Sequence, residues 1–232
     1  EVRSRTPYTT VPLGIIHKRD VTITVCYYET NMMIDFVSYQ QKRREGFTDY
    51  VDLIFRLFLS SAVWYLKRLK QISALIEKAK HNLDQAVNNE SLIGLSRLQD
   101  SLTYFITSIR GNENLLQKLK FKLQVDELDA DLIEDVSIEM TQARETTSIY
   151  SDILESTMET YSSIINNNMN TVMRTLTSVS IIMMFPTLIS SLFGMNLVNG
   201  MESSPFGFAI ALIISVVVSG ASWWILRYKR LL

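Results

Sequence analysis

The feature that most constrains this chain is the stretch from residue 175 to residue 226, which carries one ionisable side chain, Glu202. Within it, two apolar segments run from about Thr175 to Phe193 and from Phe206 to Leu226. Each has the ~20 residues that a helix needs to cross a ~30 Å hydrocarbon layer. Residues 1 to 170 hold nearly all the charge. The sequence therefore predicts a soluble part joined to a membrane part with two spanning helices.

The charges that flank the apolar segments predict their orientation. Arg174 precedes the first segment, Arg227, Lys229 and Arg230 follow the second, and the connecting loop has no Lys or Arg. Basic residues favour the cytoplasmic side, so we expect both termini in the cytoplasm and a multi-pass protein of the plasma membrane. Aromatic residues expected to anchor the inner end in the lipid bilayer are Trp223, Trp224 and Tyr228.

Composition argues against several classes of function. The formal net charge is -1 and no basic stripe interleaves with aromatics, so a nucleic-acid partner is not expected. A single cysteine, Cys26, permits neither an internal disulfide nor a cysteine zinc cluster. His17 and His81 lie far apart, with no acid or cysteine at ligand spacing. We therefore expect neither an enzyme nor an organic cofactor.

The soluble part divides into two regions before its longest helix. Residues 1–48 contain two Val, Ile and Thr-rich runs around a polar turn at 17–20, which we interpret as two strands from the end of an α/β domain. With neither an initiator Met nor a signal peptide, the chain is expected to be a fragment of a longer protein. Residues 49–130 are predicted to form a helical hairpin, with a break at 88–91 and a kink or turn near Gly111. Its first helix has apolar residues at spacings of three and four: Val51, Ile54, Phe55, Phe58, Leu59, Val63, Leu66 and Leu69.

A long helix is predicted over residues 131–192, because neither glycine nor proline occurs from Asn112 to Phe185. It would be about 90 Å long and would run directly into the first span, where Pro186 should kink it. An apolar stripe at heptad spacing must be covered by other helices: Val136, Met140, Ala143, Thr147, Tyr150, Leu154, Tyr161 and Ile164. The predicted fold is thus mainly α, with a cytoplasmic helical stalk continuous with the first membrane helix.

A second stripe on the same helix is mostly polar, and we call it the polar stripe. It comprises Asp135, Ile138, Gln142, Glu145, Ile149, Asp152, Ser156, Glu159, Ser163, Asn166, Asn170, Met173, Thr177, Ser180, Met184, Thr187 and Ser191. In the membrane, its small polar residues are explained either by helix packing or by a pore wall. Because two spans cannot enclose a channel, a pore requires a ring of copies.

The first span ends at Gly194-Met195-Asn196, followed by the outer loop 193–205 with one acid, Glu202. One interpretation is a helix stop, with Gly194 in a left-handed conformation. The other is a ring of amide and carboxylate oxygens, which would suit a hard, hydrated metal cation.

Phe193-Gly194-Met195-Asn196 resembles the signature of the CorA family of magnesium channels. The resemblance extends over residues 133–196, the acid-bearing loop and the basic tail in the last region, 206–232. It implies a homopentamer that passes Mg²⁺, and also Co²⁺ and Ni²⁺, along the long helix. Position by position, it implies a selectivity filter at Gly194, Met195 and Asn196 with Glu202 in the loop.

The same resemblance implies pore constrictions at Asn170, Met173, Leu176, Met184 and Thr187. The polar stripe itself adds Thr177 and Ser180, so Leu176 and Thr177 are competing assignments. Asp135 matches a regulatory Mg²⁺ site, although an acid near a helix start also stabilises the helix dipole. Two other functions stay open at this point: zinc transport by a relative, and a membrane-anchored coiled-coil scaffold or sensor.

Overall fold

The structure is a computed structural model that describes residues 6–43, 46–85, 89–123, 130–195 and 205–229. The chain forms two compact units, Glu1–Tyr161 and Ser162–Leu232. The described elements, in chain order, are β1 (Leu13–Lys18), β2 (Val21–Cys26), α1 (Asn31–Arg43), α2 (Tyr50–Gln85), α3 (Asn89–Leu123), α4 (Ala130–Phe193) and α5 (Gly207–Tyr228). The mainly helical fold predicted from the sequence is confirmed, and α4 belongs to both units.

The predicted strand pair is present as an antiparallel hairpin, with Lys18 opposite Val21. Arg19 has a φ of 54°, which suits a two-residue hairpin turn. The His17 ring stacks on Tyr50 at 3.8 Å and hydrogen-bonds to the Thr22 hydroxyl at 2.9 Å. His17 therefore has a packing role that joins the hairpin to the start of α2.

Helix α1 was not predicted from the sequence, although the signal for its start is present. The Thr30 hydroxyl accepts a hydrogen bond from the Met33 N–H at 3.3 Å, which is an N-cap interaction. Phe36 is the buried residue of this helix, and its ring stacks on Phe47.

The start of α2 is capped from both directions. The Asp49 carboxylate accepts from the Asp52 N–H at 2.8 Å, and Asp52 accepts from the Thr48 N–H at 3.2 Å. Of the predicted apolar stripe, five residues are buried: Val51, Ile54, Phe55, Phe58 and Leu69. Val63 is exposed, although it shares the helical spacing of the buried residues. Tyr65 packs on Phe105 of α3. Burial raises the pKa of Tyr65 above its usual value, and a hydrogen bond with Ser108 offsets part of that rise.

Helix α3 continues through Gly111, so the predicted turn there was wrong, whereas the kink stays a prediction. A glycine inside a helix costs about 1 kcal/mol relative to alanine. That penalty is outweighed by burial of the apolar residues on either side, Ile109 and Leu116, which both belong to the hydrophobic core.

The apolar stripe of α4 is covered by the rest of the first unit, as predicted. Residues buried along it are Val136, Met140, Ala143, Thr147, Leu154 and Tyr161. All of these except Thr147 join residues of α2 and α3 in one hydrophobic core cluster, with Tyr150 partly buried against it. Ile164 is exposed and lies beyond the end of this unit, so its predicted coverage is not observed in a single chain.

Three polar contacts between α3 and α4 flank this core. The Lys120 ammonium donates to the Ser137 hydroxyl at 2.7 Å, Arg144 donates to Glu113 at 3.1 Å, and the Gln99 amide donates to Ser151 at 2.8 Å. Ser137, Arg144 and Ser151, the partners on α4, are seven residues apart. They therefore lie on one line along the helix, next to its buried face. These contacts fix the rotation of α4 about its own axis.

In the second unit, α4 continues through Pro186 to Phe193, and α5 follows. Both helices are long and apolar enough to cross a membrane. Only 6% and 0% of their most apolar windows are buried, so they are not core helices of a soluble domain. They correspond closely to the two predicted spans.

We expect Leu116→Ala to lower the free energy of unfolding by about 2 to 5 kcal/mol, because it opens a cavity in the core. Leu115→Ala is the matched control, since it makes the same change at the adjacent, exposed position of α3. Denaturant titration of the full chain in detergent measures both changes. Equal losses for the two variants would show that the α3 contact does not support this core.

Candidate functional site

The polar stripe is exposed at every position from Asp135 to Ser191. In the first unit this exposure distinguishes the stripe from the rest of α4, because the opposite face of the same helix is buried in the core. Two large apolar residues of the stripe, Ile138 and Ile149, are also exposed. The face that the sequence singled out is therefore the face of α4 that the first unit does not cover.

The charges of the stripe in the first unit are of one sign. Its charged members are all acids: Asp135, Glu145, Asp152 and Glu159. Arg144, the nearest base, donates to Glu113 at 3.1 Å and lies 3.8 Å from Glu145. A row of carboxylates along one helix attracts cations and raises their local concentration.

Where α4 enters the apolar segment, the stripe carries hydroxyl groups in place of carboxylates. Three of these hydroxyls hydrogen-bond to carbonyls of their own helix. The hydroxyl of Thr177 donates to the Met173 carbonyl at 2.8 Å, that of Ser180 to Leu176 at 2.8 Å, and that of Thr187 to Met183 at 3.0 Å. With the hydroxyl proton used inside the helix, the oxygen lone pairs remain free to accept. This face can therefore accept hydrogen bonds from water, but its hydroxyls donate to the helix.

The large apolar residues at the implied constrictions are exposed on the second unit: Met173, Leu176 and Met184. Asn170 and Thr187 are exposed as well. Leu176 and Thr177 are adjacent on the helix, and both are accessible. The choice between them depends on contacts with other copies, so both stay predictions.

At the C-terminal end of α4, the predicted left-handed conformation of Gly194 is not observed, since its φ lies outside the positive range. The glycine is favoured there for a different reason. Its N–H donates to the Ser190 carbonyl at 2.9 Å, and an added Cβ would lie 3.2 Å from that oxygen. Met195 follows and is exposed, whereas Asn196 and Glu202 lie outside the described residues.

Asp135 is exposed in the second turn of α4, beside the exposed Glu134. Within the described ranges, no group of three or more His, Cys, Asp or Glu residues is arranged to hold a metal ion. The regulatory Mg²⁺ role of Asp135 stays a prediction.

The C-terminal end of α5 carries ring contacts at the predicted aromatic anchor. The Arg227 guanidinium lies 5.1 Å from the Trp223 ring centre, and Trp224 stacks on Tyr228 at 6.1 Å. Such aromatic and basic side chains favour the membrane–water interface.

Apart from Gly194 and Met195, which follow its end, the predicted site residues that the structure describes lie along α4. Asp135 and Thr187 are fifty-two positions apart on that helix. Sequence reasoning identified the stripe but missed that the hydroxyls of Thr177, Ser180 and Thr187 donate to carbonyls of their own helix, which only the helix geometry reveals.

Comparisons with known proteins agree with this architecture. A family model described as CorA-like Mg²⁺ transporter protein matches residues 2–230. The cobalt/magnesium transport protein CorA of Methanocaldococcus jannaschii is 27% identical over 157 residues, which are 66% of this chain and 50% of that protein. The magnesium transport protein CorA of Helicobacter pylori is 24% identical over 200 residues, which are 82% of this chain and 62% of that protein. This chain thus spans between half and two thirds of the length of these relatives.

A solved structure, described as the complete structure of the CorA magnesium transporter from Methanocaldococcus jannaschii, is similar to the fold with a TM-score of 0.70. The two sequences are 21% identical, and the match covers 94% of this chain and 74% of that one. At this level of identity the likeness shows the fold alone.

Proposed function

This chain belongs to the CorA-like Mg²⁺ transporter family, and on that premise we propose that it conducts Mg²⁺ into the cell as a homopentameric channel of the plasma membrane. Co²⁺ and Ni²⁺ are the further ions we expect it to pass. Both termini are cytoplasmic in this proposal, and the lipid bilayer and other copies of the chain are its partners. The observation that carries it is the uninterrupted exposed stripe from Asp135 to Ser191 on a single helix.

A membrane anchor would not need such a stripe. Polar residues inside a bilayer are costly unless they are paired or face water, so they concentrate on the inner faces of helix bundles. In this chain the polar face of the membrane part continues the acidic face of the soluble part on the same helix. That continuity favours a conduction path over the scaffold or sensor interpretation.

The spacing of the stripe supports a ring of helices. Its members alternate steps of three and four residues, so the stripe repeats every seven residues. On a straight helix such a stripe drifts by about 20° per heptad, and it stays on one side only in a left-handed supercoil. Five copies of α4 arranged in this way would turn their polar stripes towards one axis.

The chemistry of the stripe favours weak contact with a hydrated cation. From Thr160 to Met201 the chain has no carboxylate, so the membrane part of the path offers only neutral hydroxyl, amide and thioether groups. Ions must bind weakly enough to leave if they are to be conducted. Hydroxyl and amide oxygens suit Mg²⁺, which keeps its water shell. Zinc prefers thiolate and imidazole ligands, and the stripe contains neither Cys nor His.

In this proposal the outer filter is a ring of Asn196 amides with Gly194 and Met195, and Glu202 in the loop attracts cations to it. The large apolar side chains at Met173, Leu176 and Met184 form constrictions that close the path by excluding water. Asp135 lies at the cytoplasmic start of the stripe, where bound Mg²⁺ would reduce the repulsion between carboxylates of neighbouring copies.

We expect Met184→Ser to raise the basal cation leak several-fold, because a smaller polar ring is easier to wet. Met183→Ser is the matched control, since Met183 and Met184 are 64% and 63% exposed but only Met184 lies on the stripe. Leak is measured in liposomes that contain the full-length protein. Equal leaks for the two variants would remove Met184 from the gate.

Asn196→Ala should abolish Mg²⁺ uptake while the protein still assembles, because the amide is proposed to bind the waters of the ion and not to pack. Asn167→Ala makes the same change on α4 off the stripe and should leave uptake unchanged. Uptake and size-exclusion profiles are measured together. Parental uptake by an assembled Asn196→Ala protein would reject the filter assignment.

A further inference from the structure

Arg144 is the only base on α4 between Ala130 and Tyr161, the part of the helix that lies in the first unit. The polar stripe carries four acids in this part of the helix and no base. Arg144 directly precedes one of these acids, Glu145. The place where this base holds its charge therefore decides how much of the negative charge of Glu145 acts on cations near the stripe.

The Arg144 guanidinium lies between two carboxylates and is hydrogen-bonded to one of them. Its Nε donates to Oε1 of Glu113 on α3 at 3.1 Å, whereas its Nη2 lies 3.8 Å from Oε1 of Glu145, beyond hydrogen-bond distance. The Glu113 side chain is 22% exposed and the Glu145 side chain is 64% exposed. Because water and salt screen an exposed charge more strongly than a partly buried one, Glu113 is the stronger partner.

A second arrangement of the same side chain lies close to the observed one. A movement of about 1 Å would bring Nη2 of Arg144 within hydrogen-bond distance of the Glu145 carboxylate. In the described part of the chain Arg144 forms ion pairs with these two acids, so removal of Glu113 leaves Glu145 as its remaining partner. An arginine that turned to Glu145 would neutralise one of the four acids of the stripe in the first unit.

We propose that Glu113 is a positioning residue for the polar stripe, because it holds the Arg144 guanidinium on α3 and so leaves the charge of Glu145 unneutralised. Arg144 lies on the line of residues next to the buried face of α4, whereas Glu145 lies on the stripe itself. Each copy of the chain then presents the full set of acids to the ion path. This consequence for conduction rests on the proposed function, whereas the position of Arg144 does not.

A cysteine on the stripe reports the charge of Glu145 without the need for transport. Gln142→Cys, in a Cys26→Ser background, places a thiol at an exposed stripe position about one turn before Glu145. The full chain in a neutral detergent is reacted with a cationic and an anionic thiol reagent of similar size, and the ratio of the two rates reports the local electrostatic potential. Ser156→Cys is the control position, because it lies about 16 Å along the helix from Glu145, beyond the ~10 Å screening length at 0.1 M salt.

Glu113→Gln should lower the cationic-to-anionic rate ratio at position 142 and leave it unchanged at position 156. Arg144→Gln should raise the ratio at position 142 by at least about twofold more in the Glu113→Gln background than in the parental one, because only there has the guanidinium moved to Glu145. Charges at fixed positions act additively, so equal effects of Arg144→Gln in the two backgrounds would overturn the proposal. If Glu113→Gln does not fold, Glu113→Ser removes the same charge at this partly exposed position and is judged by the same criterion.

Mg²⁺ influx into liposomes at low salt separates this inference from the proposed function. Glu113→Gln should reduce influx by about twofold, and Arg144→Gln in that background should restore it. A higher salt concentration should remove the difference, since screening weakens the field of the stripe. Unchanged influx with a lowered rate ratio would overturn the role of Glu113 in conduction. A parental protein without cation influx would contradict the proposed function, and the rate ratios would still decide whether Glu113 positions Arg144.

Discussion

The structure depends on the burial of one face of α4 against α2 and α3. Residues such as Val136, Met140 and Leu154 are fully buried there, and the flanking contacts to Ser137, Arg144 and Ser151 prevent the helix from rotating. In an unbroken helix, the direction in which one side chain points determines the directions of the others, because the number of residues per turn is fixed. The packing of the soluble unit therefore determines which side chains of α4 stay exposed within that unit.

The bilayer adds the second constraint, since every backbone group within it needs a partner inside the protein. The apolar segment of α4 meets this requirement as a continuous helix, and the hydroxyls of Thr177, Ser180 and Thr187 donate to its own carbonyls. Pro186 is the exception, because it has no N–H to donate to the carbonyl of Ile182. A helix that tolerates a proline near its outer end gains a point at which its last turns can be positioned separately.

The sequence predicted those features that repeat and missed those that depend on a single partner. The buried heptad of α4, the hairpin and the spans follow from periodicity and length. Gly111 was misread because its helix penalty is visible in sequence, whereas the burial of Ile109 and Leu116 that outweighs it is not. Val63 is exposed although it has the same helical spacing as its buried neighbours, because spacing does not show how wide the buried face is. Ser215, Ser219 and Ser222 look alike in the sequence. In the structure, the hydroxyls of Ser215 and Ser222 donate to carbonyls of α5, whereas the hydroxyl of Ser219 has no partner among the described residues.

The central claim, that the polar stripe of α4 lines the path of the ion, is tested most directly by chemical accessibility during transport. In a Cys26→Ser background, cysteines replace Thr177 or Ser180 on the stripe, or the exposed Val179 off it. A positively charged thiol reagent is then applied to liposomes while Mg²⁺ influx is recorded. We predict that modification at positions 177 and 180 blocks influx and that modification at position 179 does not. Block at position 179 with none at 177 and 180 would contradict the account.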